Sequence, residues 1–193
     1  MSDPRIILLF SGKRKSGKDH ICDKIKALLG GERCTIVRIS GPLKRLYAQN
    51  HKLDFQELLS DGPYKEIYRV DMINWSDKIR EKDPGYFCKA ASEMAEKKSV
   101  WIVGDVRRKT DIQWFKETYQ DKIKTVRIRA DTNVRESRGF VFTKGVDDVA
   151  SECNLDDFEN WDLQISNNNE EELQSGVEKI MTVVNSVFRI LLL

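Results

Sequence analysis

No stretch of this sequence approaches the roughly 18 consecutive apolar residues of a membrane-spanning helix, so it offers no candidate transmembrane segment. Histidine is nearly absent. His20 and His51 are isolated, which leaves neither a histidine-based metal cluster nor a Ser-His-Asp arrangement in prospect. Cysteine is scarce as well: Cys22, Cys34, Cys88 and Cys153 are widely spaced and form no CxxC, so they read as free thiols in a reducing compartment. Charge of one sign is lacking too. Lys and Arg number 33 against 31 Asp and Glu, and the resulting +2 makes no global case for nucleic acid or a membrane as partner. The sequence opens without a signal-peptide pattern and ends on Ile190-Leu-Leu-Leu193, not the S-K-L form of a peroxisomal address, so a cytosolic protein is expected. No repeat, low-complexity stretch or long linker divides it, and 193 residues suffice for one domain with a substantial core.

What is present begins with a phosphate loop. The apolar run Ile6 to Phe10 reads as a strand buried on both faces. It runs into Ser11-Gly12-Lys13-Arg14-Lys15-Ser16-Gly17-Lys18-Asp19, in which Gly12, Gly17 and Lys18 match G-x-x-x-x-G-K. Such a loop aims backbone N–H groups at phosphate oxygens, and its lysine reaches the β- and γ-phosphates. Ile21, Ile25, Leu28 and Leu29 follow at helical spacing, so a helix N-terminus faces the bound anion. Asp19 stands where Ser or Thr normally contacts Mg²⁺. A carboxylate can also bind magnesium, directly or through water, which makes Asp19 the candidate metal ligand.

Strand and helix signals alternate beyond the loop. Strands are expected at 35–39, closed by Ser40-Gly41-Pro42, then at 100–103, 123–130 and 163–166. Helices are expected near 44–51, 55–59, 64–80 and 86–96, with a short one around Trp114 to Tyr119 and a last one over 170–193. The pattern predicts an α/β fold, a mainly parallel five-stranded sheet with helices on both faces. Residues 139–158 carry little regular pattern and much charge, as functional lids often do. A core of 1–131 and 159–193 with a mobile lid over about 132–152 is therefore expected. Trp75, Trp101, Trp114 and Trp161 read as core and cleft walls, and Asp147, Asp148, Asp156 and Asp157 as loop-holding partners of basic residues.

Ligands of open α/β sheets bind beyond the carboxyl ends of the strands. Arg107 and Arg108 follow the 100–103 strand there, and paired arginines suit bidentate binding of phosphate or carboxylate. Arg135, Arg138 and the segment to Lys144 would lie over a nucleotide. Lys65 and Arg69 are four apart and share a helix face, which makes an anion site only if that face lines the cleft. On these residues alone, a kinase acting on a nucleoside or other small-molecule monophosphate and a nucleotide-binding module without catalysis both remain open.

Longer segments narrow the choice. Leu8 to Asp19, Ser40-Gly-Pro-Leu-Lys44, Tyr64-Lys65-Glu66, Asp83-Pro-Gly85, Asp111-Ile-Gln-Trp-Phe115, Val141 to Asp148 and Ser151 to Asp156 resemble the animal-type phosphomevalonate kinases over nearly the whole chain. The resemblance implies a three-layer P-loop kinase fold akin to nucleoside monophosphate kinases. It implies ATP and Mg²⁺ as cofactors and (R)-5-phosphomevalonate as substrate, in the mevalonate route to isoprenoids and sterols. It also implies a monomer with no nucleic-acid or membrane partner. Carried over by position, Gly12, Lys13, Arg14, Lys15, Ser16, Gly17, Lys18, Asp19, Arg135, Arg138 and Asn168 would bind ATP. Lys44, Lys65, Arg69, Arg80, Arg107, Arg108 and Asn167 would bind the acceptor, with Lys18, Arg107, Arg108 and Arg138 catalytic.

Overall fold

In the computed structural model, which describes residues 4–60 and 62–189, the expected sheet is present and wholly parallel. Strands β1 (Ile6–Gly12), β2 (Cys34–Val37), β3 (Val100–Val103), β4 (Ile123–Arg129) and β5 (Leu163–Ser166) lie in the order β2-β3-β1-β4-β5. β1 is central, paired with β3 from Ile6 against Val100 and with β4 from Ile7 against Ile123. Its apolar run feeds two cores in alternation, as strand geometry requires. Ile6, Leu8 and Phe10 pack with helices α1 (Lys18–Leu29) and α9 (Glu170–Arg189) on one face. Ile7 and Leu9 pack with α5 (Tyr86–Met94) and α6 (Lys109–Tyr119) on the other. Gly176 lets α9 approach β5, because a Cβ there would sit 2.2 Å from Ile165.

A third cluster, built on Tyr47, Ala48, Leu58 and Met72, joins α2 (Ser40–His51), α3 (Phe55–Leu59) and α4 (Pro63–Lys82) into a lobe beside the sheet. Trp75, Trp101, Trp114 and Trp161 all pack in or against the α5/α6 core. The four thiols are free, and burial pushes Cys22 up to about 12 and Cys34 to about 11. No helix among the described residues is long and apolar enough to cross a membrane.

Two boundaries differ from expectation. β2 ends at Val37, and Ser40-Gly41-Pro42 opens α2 instead of closing the strand. The cause is a cap from another element: the Asp105 carboxylate accepts from the backbone N–H of Ile39 at 2.8 Å and of Ser40 at 2.9 Å. Pro42, in the first turn, needs no N–H partner. The 139–158 segment is also less irregular than its composition suggests. It follows the short helix α7 (Thr132–Ser137) and contains α8 (Ala150–Cys153). The expected helix over 170–193 is present to Arg189, and residues 190–193 lie outside the described part.

Candidate active site

The carboxyl ends of β1 and β3 bring a phosphate cradle and a cationic cavity side by side. Between these neighbours the chain winds off in opposite directions, to β2 from β1 and to β4 from β3, which is where ligands of such sheets bind. In the cradle, Gly17 adopts φ 83°, and a Cβ on it would lie 2.2 Å from the Asn167 amide nitrogen. Only glycine satisfies both demands. α1 begins there with no side-chain cap, so its first N–H groups are left to whatever anion the loop encloses.

Lys18 is 8% exposed, and its ammonium donates to the Gly104 carbonyl and, at 3.0 Å, to Asp19 Oδ1. Arg38 Nη1 donates to that same oxygen at 2.7 Å. Partial desolvation of the Asp19 carboxyl opposes ionisation, but Lys18 and Arg38 outweigh it and hold the group below the usual carboxylate range.

The remaining loop residues have varied surroundings. Lys15 is exposed, with φ 62°. Ser16 Oγ is buried without a protein partner. Lys13 turns toward α8, where Asp156 Oδ2 accepts at 2.6 Å and the Glu152 carbonyl at 2.8 Å. Arg14 donates to both oxygens of Asp147, at 2.9 and 3.1 Å. Arg135 Nε donates to the Arg14 carbonyl at 2.8 Å while its guanidinium lies 4.0 Å from the Phe140 ring centre. Arg138 donates to the Asn167 carbonyl at 2.8 Å and the Ser16 carbonyl at 3.4 Å. The residues at the end of β5 support the loop as well. Asn167 Nδ2 donates to the Ser16 carbonyl at 2.8 Å, which places it against the phosphate loop and not among the cavity-lining residues. Asn168 Oδ1 accepts from Asp131 N–H at 2.8 Å.

Beside the cradle lies a cavity of about 220 Å³ whose walls include Lys44, Lys65, Arg69, Arg80, Arg107 and Arg108. These are all the cations expected around the acceptor, and the face shared by Lys65 and Arg69 does line the cleft. Leu43, Met72, Ile73 and Val146 supply apolar wall, and Ser40 and Ser76 hydroxyl groups.

Carboxylates that sequence reasoning missed orient three of the arginines. Asp111, only 1% exposed, accepts from Arg80 at 2.7 Å and from the backbone N–H of Arg107 and Arg108 at 3.1 and 3.0 Å. Glu152 accepts from Arg107 Nη1, and Asp77 from Arg108 Nη2. Asp111 is the third residue of α6, where acidic residues cap helices, so a capping signal was there to read. Arg38 carries the same strand-end signal as Arg107, one strand over.

Among the described residues no group of three or more His, Cys, Asp and Glu could hold a metal. Asp19, the expected metal ligand, has 65% of its side chain exposed.

A family model described as phosphomevalonate kinase matches residues 10–121. The chain is 48% identical over 169 residues to a phosphomevalonate kinase of Drosophila melanogaster, covering 85% of this chain and 89% of that one. Among solved structures, a Thermus thermophilus protein superposes with a TM-score of 0.55 at 14% identity, over 94% of this chain and 98% of its own. A gluconokinase from Sinorhizobium meliloti 1021 superposes with a TM-score of 0.50 at 11% identity, over 95% and 98%. At that identity the likeness is one of fold.

Proposed function

Because the chain belongs to the phosphomevalonate kinase family, we propose that its phosphate loop holds ATP, that the cavity beside it holds the acceptor, and that Lys18, Arg107, Arg108 and Arg138 carry the transfer. The enzyme transfers the γ-phosphoryl group of ATP to the phosphate of (R)-5-phosphomevalonate, giving ADP and (R)-5-diphosphomevalonate in the mevalonate pathway. The observation that carries the site assignment is the gathering of six cations around one cavity next to the loop. Both substrates are polyanions, and two unit charges 4 Å apart repel by about 4 kcal/mol at an effective dielectric near 20. Near-neutral net charge with local cationic crowding is what that chemistry needs.

The acceptor atom is a phosphate oxygen, already ionised, so no general base is required. Catalysis is in-line displacement through positioning and charge stabilisation. Lys18 follows the transferred phosphoryl group, Arg107 and Arg108 hold the acceptor phosphate, and Arg138 spans the donor side. Asp19 would hold Mg²⁺, whose contribution is to offset charge on the β- and γ-phosphates. The enzyme works as a monomer in the cytosol, a reducing compartment that suits its four free thiols. Release of ADP with phosphomevalonate, mevalonate, AMP, CMP and UMP as acceptors tests the reading. Turnover confined to phosphomevalonate is expected, and turnover on a nucleotide alone would reassign the acceptor site.

Residues 132–152 act as a lid. The hydrogen-bond partners of the Arg135 and Arg138 side chains among the described residues are the neutral backbone carbonyls of Arg14, Ser16 and Asn167, whereas ATP phosphates offer charge-assisted partners. Gly139 and Gly145, at φ 80° and 78°, have open space around them and serve as hinges. Hydrogen exchange over 132–152 is expected to slow when an ATP analogue and phosphomevalonate are both bound. Equal protection with and without ligands would make Arg138 a static contact.

A further inference from the structure

We propose that Arg38 is a positioning residue for Asp19: it offsets the carboxylate standing where phosphate loops carry a neutral hydroxyl, so that this loop can accept a polyanion. The inference rests on reading Gly12 to Asp19 as the nucleotide loop.

Asp19 lies in the first turn of α1, where the helix N-terminus and the loop amides are arranged for phosphate. Before any metal is bound, a full negative charge at that point repels the ligand the loop is built to take. Two cations offset it, and both donate to Oδ1: Arg38 Nη1 at 2.7 Å and Lys18 Nζ at 3.0 Å. Lys18 is the one of the two with another duty. Its ammonium also bonds the Gly104 carbonyl and belongs to the phosphoryl path. When Lys18 engages phosphate, Arg38 is the partner left to Asp19.

The backbone around Arg38 is shaped for that task. Arg38 follows β2 at its carboxyl end, and its side chain crosses the end of β3 at Gly104. A Cβ on Gly104 would lie 2.5 Å from Arg38 Nη1 and 3.0 Å from Cζ, so the absence of a side chain there lets the guanidinium lie directly over the strand end. The guanidinium is 36% exposed in side-chain terms and the Asp19 carboxylate 65%, so the pair sits at the mouth of the cradle instead of filling it. Because the planar fork holds its orientation, Asp19 keeps one oxygen occupied and its carboxylate aimed across the loop. Arg38 thereby acts on the nucleotide through Asp19 and not by touching phosphate.

A double-mutant cycle on the full chain separates these roles, read by calorimetric titration of ADP, with EDTA in place of Mg²⁺, into wild type, Arg38→Met, Asp19→Ser and the double variant. Arg38→Met is expected to weaken ADP binding by about tenfold or more, and the same change in the Asp19→Ser background by less than about threefold. Arg38→Lys should keep most of the wild-type affinity, since it retains the charge. Equal losses in both backgrounds would mean that Arg38 binds nucleotide itself, and no loss in either would leave it without a role at the loop; both overturn the proposal. Should Arg38→Met not fold, Arg38→Gln takes its place in the cycle. Wild type that fails to bind ADP would instead overturn the phosphate-loop reading, and this proposal with it.

Discussion

Lys18→Met is expected to bind the acceptor normally and to lose about 10²–10³ in kcat, the usual cost of removing one preorganised group that meets developing charge. Methionine matches the length of the lysine stem, so the buried volume stays filled. The ammonium is a different matter. Lys18 is 8% exposed, and without it the Gly104 carbonyl loses its side-chain donor and Asp19 one of two cations. An unmet buried acceptor costs about 1–3 kcal/mol, so thermal unfolding should show a modest drop in stability beside the large drop in rate. Asp19 keeps Arg38, which limits the damage. The two readouts separate a folding defect from a catalytic one. A well-folded variant retaining more than about a tenth of wild-type kcat would remove Lys18 from the chemical step.

The donor loop was legible because its whole logic is local. One apolar strand, two glycines, one lysine and an amphipathic helix follow each other within about one βα unit. The sheet was legible for the same reason: β1 and β3 carry short apolar runs bounded by turns, β5 alternates apolar and polar residues, and these patterns carry the assignment. The acceptor cations were legible by type and spacing, but their convergence was not. Lys65 and Arg69 share a face on any helix. That this face looks into the cleft depends on how Met72 and Tyr47 pack α4 against α2.

That Asp147 and Asp156 hold basic residues was legible by type, but which distant segments meet was not. Asp77 meets Arg108 across 31 positions and Glu152 meets Arg107 across 45. Lys13, expected as a nucleotide ligand, bonds Asp156, and Asn167, expected as an acceptor ligand, braces the Ser16 carbonyl. Propensity failed at Ser40-Gly41-Pro42 because the cap that starts α2 comes from Asp105, at the end of another strand.

Replacing Arg107 or Arg108 by alanine is expected to cut kcat/KM for phosphomevalonate by about 10²–10³, with ATP affinity changed much less. A charge-assisted hydrogen bond is worth about 1.5–3 kcal/mol, so losing a bidentate pair reaches that range. Lysine should restore only part of the activity, because an ammonium cannot reproduce the fork. The two arginines are not equivalent probes. Glu152, the partner of Arg107, has only 5% of its side chain exposed, so Arg107→Ala strands a buried carboxylate. Some of its effect will then come from disturbance of α8 and of the Lys13 and Asp156 contacts beside it. Asp77, the partner of Arg108, is 36% exposed and can take up water when the guanidinium goes. Arg108→Ala is accordingly the cleaner measure of what an arginine at the end of β3 contributes to the acceptor. Adding Glu152→Gln to Arg107→Ala should recover stability without recovering acceptor affinity. Titration of an ATP analogue into each variant decides the assignment: a large loss of nucleotide affinity with normal acceptor kinetics would move these arginines to the donor side.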